Sequence, residues 1–275
     1  MTQKLIFLDI DGTLTPAGTN VPPDSALEAI RSAQARGHKV FLCTGRNYGM
    51  LSPLLAYGFD GLIGSAGGYI EYGGEAVYDC PMTEEQRVRV MDVFQRSGVF
   101  RTVECKQHTY TDEGFKDFLR NTSGGGGSEL LRWREQLESN LGIRPMAEYR
   151  GEPVYKVIFM SPDLERLEEP MAELEKEFAF CMEDNRKNGV FNGELINRKF
   201  NKGMAVRRMS DHLGVPLEDT IAFGDSMNDR EMLETAGLGI CMGNGASALR
   251  EIAREICPPL DEDGLYRAFE AHGLL

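Results

Sequence analysis

Short apolar runs alternate with amphipathic stretches over the first eighty residues. Leu5–Leu8 is too brief for a helix and stops abruptly at acidic and glycine residues, as a buried strand does. After a loop carrying prolines, the spacing predicts a helix over Asp24–Arg36, with Leu27, Ile30 and Ala33 on one face and Gly37 as its stop. Lys39–Cys43 predicts a second buried strand, ending at Thr44-Gly45-Arg46, and a further helix precedes a third strand at Gly61–Gly64. Strands and helices alternating at this length imply βαβ units and a parallel sheet. Tyr69–Tyr78, centred on Gly73-Gly74, predicts a β-hairpin that leaves that sheet.

The middle of the chain has a different texture. Glu84–Arg96 is amphipathic, Phe100–Thr111 is strand-like, and a helix is expected around Glu129–Leu141. A strand at Val154–Ser161, an acidic helix at Leu164–Phe178 and strands near Phe180 and Val190–Ile196 follow. Ser123–Ser128 reads SGGGGS, the composition of a flexible surface linker. The α/β rhythm returns with a helix over Lys202–His212, a strand at Thr220–Phe223, a short helix, a strand at Leu238–Met242, a Gly-Asn-Gly turn and a last helix near Leu265–His272. The expected organisation is one α/β domain from residues 1–82 and 199–275, with an α+β domain, residues 83–198, inserted into it.

Composition narrows the function. With 41% hydrophobic residues in 275, a buried core forms readily. The 43 acidic and 30 basic residues give a net charge of −13, which argues against nucleic acid or an anionic membrane as partner. No run approaches the ~18 apolar residues of a membrane span. The six cysteines show neither CxxC nor zinc spacing and read as small buried hydrophobes. Together with an N-terminus lacking a signal-peptide pattern, they suit a reducing cytoplasm. Oligomeric state is not encoded in any legible pattern.

The candidate chemistry lies at strand ends. In an open parallel sheet, ligands bind beyond the carboxyl ends of the strands, so Asp9, Thr44 and Asp225 are expected at one rim. Asp9-Ile10-Asp11-Gly12-Thr13 places two carboxylates just past a strand; a capped turn accounts equally well for either one alone. Crowding both together calls for a cation, and magnesium takes hard oxygen ligands along with a substrate phosphate. One aspartate can then be the nucleophile and the other the general acid and base. Asp225, in Gly224-Asp225-Ser226-Met227-Asn228-Asp229, is placed to complete the metal site, although a helix N-terminus explains one of these acids equally well. Thr44-Gly45-Arg46 offers a hydroxyl and unblocked backbone N–H groups to phosphate oxygens, while an arginine at this place is more often a surface or structural one. Lys202, opening its helix in Asn201-Lys202-Gly203, can neutralise a transferring phosphoryl group, though a lone lysine is usually solvated.

In this order, these residues resemble the haloacid dehalogenase (HAD) superfamily, and within it the Cof-type, class IIB phosphatases. FLDIDGTL at Phe7–Leu14, TGR at Thr44–Arg46, NKG at Asn201–Gly203 and GDSMND at Gly224–Asp229 match the four motifs, and DEDGLYRAF at Asp261–Phe269 is similar to the family's closing segment. The resemblance implies a Rossmann-like core with a parallel sheet and an inserted α+β cap. It further implies Asp9 as nucleophile and magnesium ligand, and Asp11 as acid and base that lends its carbonyl to the metal. Thr44, Gly45, Lys202 and Asn228 would bind phosphate and Arg46 the substrate. Asp225 would ligate Mg2+, with Asp229 supporting or binding it. The expected activity is hydrolysis of small phosphorylated metabolites through an aspartyl-phosphate. Alternatives are a phosphosugar mutase, which would need basic cap residues such as Lys156, Arg186, Lys187 and Arg198, and a non-catalytic ligand-binding relative. One departure is Ser65-Ala66-Gly67-Gly68 where family members often read SNGA, so that an asparagine amide is lost at Ala66.

Overall fold

The computed structural model describes residues 2–115, 142–182 and 191–275. The glycine-rich Ser123–Ser128, the expected helix at Glu129–Leu141, Arg186 and Lys187 lie outside the described residues. The chain divides into two compact units: Met1–Arg46, Leu51–Asp79 and Phe200–Leu275 form the first, and Asn47–Met50 with Cys80–Lys199 the second.

The first unit is built on an eight-stranded sheet. Its order is Glu255–Ile256, Leu238–Cys241, Thr220–Gly224, Leu5–Leu8, Lys39–Cys43, Gly61–Gly64, Tyr69–Tyr72 and Glu75–Asp79. Pairing is parallel from the first of these to Gly61–Gly64, then antiparallel. Leu5–Leu8 is wholly buried, as a central strand covered on both faces must be. Phe7, Phe41, Ile63, Ala222 and Cys241 pack into one core with Ala205, Val206 and Met209 of helix Lys202–Leu213.

Two expectations are corrected here, and two short elements are added. The hairpin does not leave the sheet: Tyr69–Tyr72 pairs antiparallel with Gly61–Gly64 and continues it to the edge. The cause is the intervening turn, where Ser65, Ala66 and Gly67 all take positive φ and fold the chain straight back. Helix Asp24–Ala35 buries Ala26, Ala29, Ile30 and Ala33, while Leu27 stays half-buried at the edge of that stripe. Helix Ser247–Ile252 and strand Glu255–Ile256 went unforeseen, being too short to show a periodicity.

The second unit carries a six-stranded sheet in the order Phe178–Met182, Phe191–Asn197, Val154–Ser161, Phe100–Cys105, Thr109–Thr111, Ile143–Pro145, antiparallel except for the last pair. Helices Glu84–Arg96 and Glu165–Leu174 contribute Val90, Val93, Phe94, Leu167 and Leu174 to its apolar core. The acidic helix is shorter than expected because the chain turns into a strand at Phe178. Asn47 is fully buried here, its Nδ2 donating to the Cys105 carbonyl (2.9 Å) and to Thr109 Oγ1 (3.1 Å).

None of the six cysteines is in a disulfide. Cys43, Cys105, Cys241 and Cys257 are buried, whereas Cys181 is exposed on a strand of the second unit, against the buried reading. No helix among the described residues is long and apolar enough to cross a membrane.

Candidate active site

Chain order reverses on the two sides of Leu5–Leu8, with Thr220–Gly224 on one flank and Lys39–Cys43 on the other. Such a reversal opens a crevice at the carboxyl ends of the strands. Leu8 is in register with Phe223, and the Asp9 N–H donates to the Phe223 carbonyl at 3.0 Å. Asp9 thus follows its strand by one residue and Asp225 follows Phe223 by two, so both emerge at the same rim. Asp9, Asp225 and Asp229, all buried, each offer a carboxylate oxygen within 4.8 Å of the others.

Lys202 is inserted among these acids. Its helix begins here because Asn201 caps it, the side chain accepting from Met204 N–H at 2.7 Å. The helix is held in place by close packing: a Cβ on Gly203 would stand 2.3 Å from the Glu231 carbonyl oxygen. Lys202, 2% exposed, donates from Nζ to Asp9 Oδ1 at 2.6 Å and to Asp229 Oδ1 at 2.5 Å. Asn228 Oδ1 lies 3.5 Å from the same nitrogen. The solvated reading of this lysine is thus overturned. Asp229 turns its other oxygen to the backbone N–H groups of Asp225 (3.0 Å) and Ser226 (3.1 Å), which fixes the loop that presents Asp225.

The electrostatics follow from crowding acids out of water. Burial first, then the Asp229 charge, pushes Asp9 up to about 7, with Lys202 opposing. Burial, then Asp9 and Asp229, pushes Asp225 up to about 9. Burial acts against the Lys202 charge, yet Asp229 and Asp9 overcome it and hold the ammonium well above its ordinary value. Asp225 Oδ1 is buried without a hydrogen-bond partner. Opposite its other oxygen lies Gly12, at φ +86°, where a Cβ would approach Asp225 Oδ2 to 2.4 Å. Only glycine fits there.

Thr44 and Arg46 occupy the end of the neighbouring strand, with Gly45 buried between them. Their backbone is less available than the sequence suggests. The Thr44 N–H goes to the Ile63 carbonyl (2.9 Å) because the sheet extends one residue further, and the Arg46 N–H goes to Thr44 Oγ1 (3.1 Å). Arg46 is 3% exposed, so it is no surface residue. Its guanidinium grips Asp11, Nε to Oδ2 at 2.9 Å and Nη2 to Oδ1 at 2.6 Å, which draws that carboxylate toward Arg46 and outside the three-carboxylate group. The Ser65–Gly67 turn braces this segment, Ser65 N–H donating to the Arg46 carbonyl and Ala66 N–H to that of Thr44. Ala66 sits at φ 57°, a left-handed conformation that asparagine tolerates better than alanine.

Of the basic residues considered for a second phosphate, Lys156 is fully buried and paired with Glu194 (2.5 Å) and Glu104 (3.3 Å), not solvated. Arg198 is exposed and donates to the Glu175 carbonyl. Neighbours of the site that the motifs do not reveal include Asn20, which accepts from Arg46 Nη1, and Asn244, whose Nδ2 donates to the Gly12 carbonyl at 2.8 Å. Asn244 was legible only as part of a turn, and Asn20 only as loop.

The profile of the haloacid dehalogenase-like hydrolases matches residues 6–269. Phosphatase YwpJ of Bacillus subtilis is 27% identical, over 96% of this chain and 97% of its own. The HMP-PP phosphatase of Serratia proteamaculans is 29% identical, over 92% and 88%. Among solved structures, a haloacid dehalogenase-like hydrolase from B. subtilis superposes with a TM-score of 0.78 at 24% identity, covering 98% of this chain and 99% of that one. The HAD subclass IIB sugar phosphatase BT4131 does so with a TM-score of 0.76 at 24% identity, covering 99% and 100%. The chain belongs to the haloacid dehalogenase-like hydrolase family, and within it stands among phosphatases.

Proposed function

We propose that this enzyme hydrolyses small phosphorylated metabolites with magnesium, through an aspartyl-phosphate on Asp9. The observation that carries the reading is the buried Asp9–Asp225–Asp229 group with Lys202 inside it at the reversal of the sheet. Three carboxylates crowded around one ammonium keep protons well above the ordinary carboxylate range, a divalent cation can take the place of those protons, and the partnerless Asp225 Oδ1 is a hard oxygen donor with no other task. Asp9, Asp225 and the Asp11 carbonyl would hold the ion, with Asp229 behind them. When bound, magnesium supplies positive charge against the phosphate oxygens.

The residues then divide the work. An Asp9 carboxylate oxygen forms the new bond to phosphorus as the phosphorus–oxygen bond to the leaving group breaks. Asp11 gives its proton to the departing alkoxide. In the second half, Asp11 takes a proton from water, whose oxygen attacks phosphorus, and free phosphate leaves as Asp9 is regenerated. Lys202, with Thr44, Gly45 and Asn228, steadies the phosphoryl charge. The second unit would act as the cap that selects substrates. Named relatives act on HMP-PP and on 5-amino-6-(5-phospho-D-ribitylamino)uracil, which supports small phosphometabolites as the class. Free cysteines support a cytoplasmic setting.

A panel of phosphometabolites, assayed for free phosphate with and without magnesium, tests the proposal. Release from at least one member, lost on chelation, is expected. No release from any member, or isomerised sugar phosphate in place of free phosphate, would overturn it.

A further inference from the structure

We propose that Arg46 is a positioning residue: it fixes the angle of the Asp11 carboxylate for proton transfer and does not bind the phosphoryl group. The inference rests on the reading of Asp11 as acid and base. A two-point grip on Asp11 (2.9 and 2.6 Å) sets the carboxylate plane as well as its distance, which a single hydrogen bond does not do. The outer side of the guanidinium is held just as firmly. Nη1 donates to Asn20 Oδ1 at 2.6 Å and Nη2 to the Thr19 carbonyl at 3.1 Å. Four of its five hydrogens are therefore accounted for by groups other than a substrate.

The rest of the clamp is anchored in the same way. Gly18 N–H donates to Asp11 Oδ1 at 2.9 Å, so the loop carrying Thr19 and Asn20 is tied to the carboxylate from the other side. Behind Arg46, the Ser65 N–H holds its carbonyl at 2.8 Å. Arg46 thus has a fixed backbone, a fixed outer edge and one deliberate contact, Asp11. Without the fork the carboxylate rotates about its broad terminal torsion, and misaligned proton transfer is slow.

The test exploits the leaving group. An alkyl phosphate releases an alkoxide that needs the Asp11 proton, whereas p-nitrophenyl phosphate releases a nitrophenolate that leaves without it. Wild type, Arg46→Lys, Arg46→Met, Asn20→Ala and Asp11→Asn are compared on both substrates, using steady-state kcat and KM and the stopped-flow burst of nitrophenolate. Arg46→Met is expected to lose about 100-fold in kcat on the alkyl substrate while the burst rate falls less than about tenfold and KM stays within about threefold. Arg46→Lys, a point charge without the fork, should lose nearly as much, and Asn20→Ala should show the same selectivity about tenfold weaker. Asn20 lies half-buried in a loop, so its variant reads the clamp even if an Arg46 variant misfolds. Equal losses on both substrates, a rise in KM at constant kcat, or an unchanged rate would each overturn the proposal. If Asp11→Asn shows the leaving-group selectivity and the Arg46 and Asn20 variants do not, only this inference fails. If Asp11→Asn lacks it, the proposed mechanism fails as well.

Discussion

Lys202→Met removes the one cation found among three buried carboxylates and keeps the length and apolar stem of the side chain. The ammonium touches Asp9 at 2.6 Å and Asp229 at 2.5 Å with 1% of its side chain exposed, so its loss leaves charge that water cannot reach. Breaking a buried pair in this way costs about 3–5 kcal/mol. The site has an escape, which is to protonate a freed carboxylate, and that sets a ceiling. The acid that takes the proton must be one still ionised in the wild type, and measured against the unfolded chain, where a carboxylate titrates near the ordinary value of about 3.9, this costs about 4 kcal/mol at pH 7 but only about 1.5 kcal/mol at pH 5. The destabilisation is therefore expected to be about 4 kcal/mol at pH 7, roughly 10 °C in melting temperature, and to shrink below half of that at pH 5. Urea unfolding of both proteins at the two pH values, in chelator, measures it. Equal stabilities at pH 7, or a loss independent of pH, would refute the account of Lys202 as the counter-charge of the acids.

Asp9→Asn should abolish turnover, and near-normal activity would sink the proposed nucleophile. Asp11→Asn should mainly slow it and accumulate phosphorylated enzyme, seen as one added phosphoryl group in the intact mass. Gly12→Ala forces a Cβ to within 2.4 Å of Asp225 Oδ2 at a φ of +86°, so the loop must shift. A cost of about 1–2 kcal/mol in stability and a raised magnesium requirement in the activity titration are expected. Magnesium should raise the melting temperature more at pH 8 than at pH 5.5. Asp9 and Asp225 are both raised, to about 7 and about 9, so above the ordinary carboxylate range the folded protein holds more protons than the unfolded one. Without metal, its stability falls as pH climbs through that window. The ion must displace those protons, and fewer remain at pH 8. A larger stabilisation at pH 5.5 would count against these carboxylates as the binding site.

Much of this was already written in the chain. Leu5–Leu8, Lys39–Cys43 and Gly61–Gly64 are strands within the bounds their apolar runs suggest, because a run of four or five buried residues between turn signals has few other uses. The rim carrying Asp9, Thr44 and Asp225 was legible too, since parallel strands must all present their carboxyl ends on one side. Local pattern does not carry what distant segments do to each other. Arg46 was by sequence a surface or structural arginine, or by resemblance a substrate ligand, and the fold decides among these by gripping Asp11 with it while a loop 26 residues earlier brings Asn20 to its outer edge. Lys202 was expected at the phosphate only in company with the other motifs, since a lone lysine is usually solvated; the fold sets it between Asp9, 193 positions away, and Asp229. Side-chain type and spacing determined which chemistry the chain can hold. Tertiary packing decided which of those groups lose their water, and it is that loss which raises Asp9 and Asp225 and gives Lys202 its role.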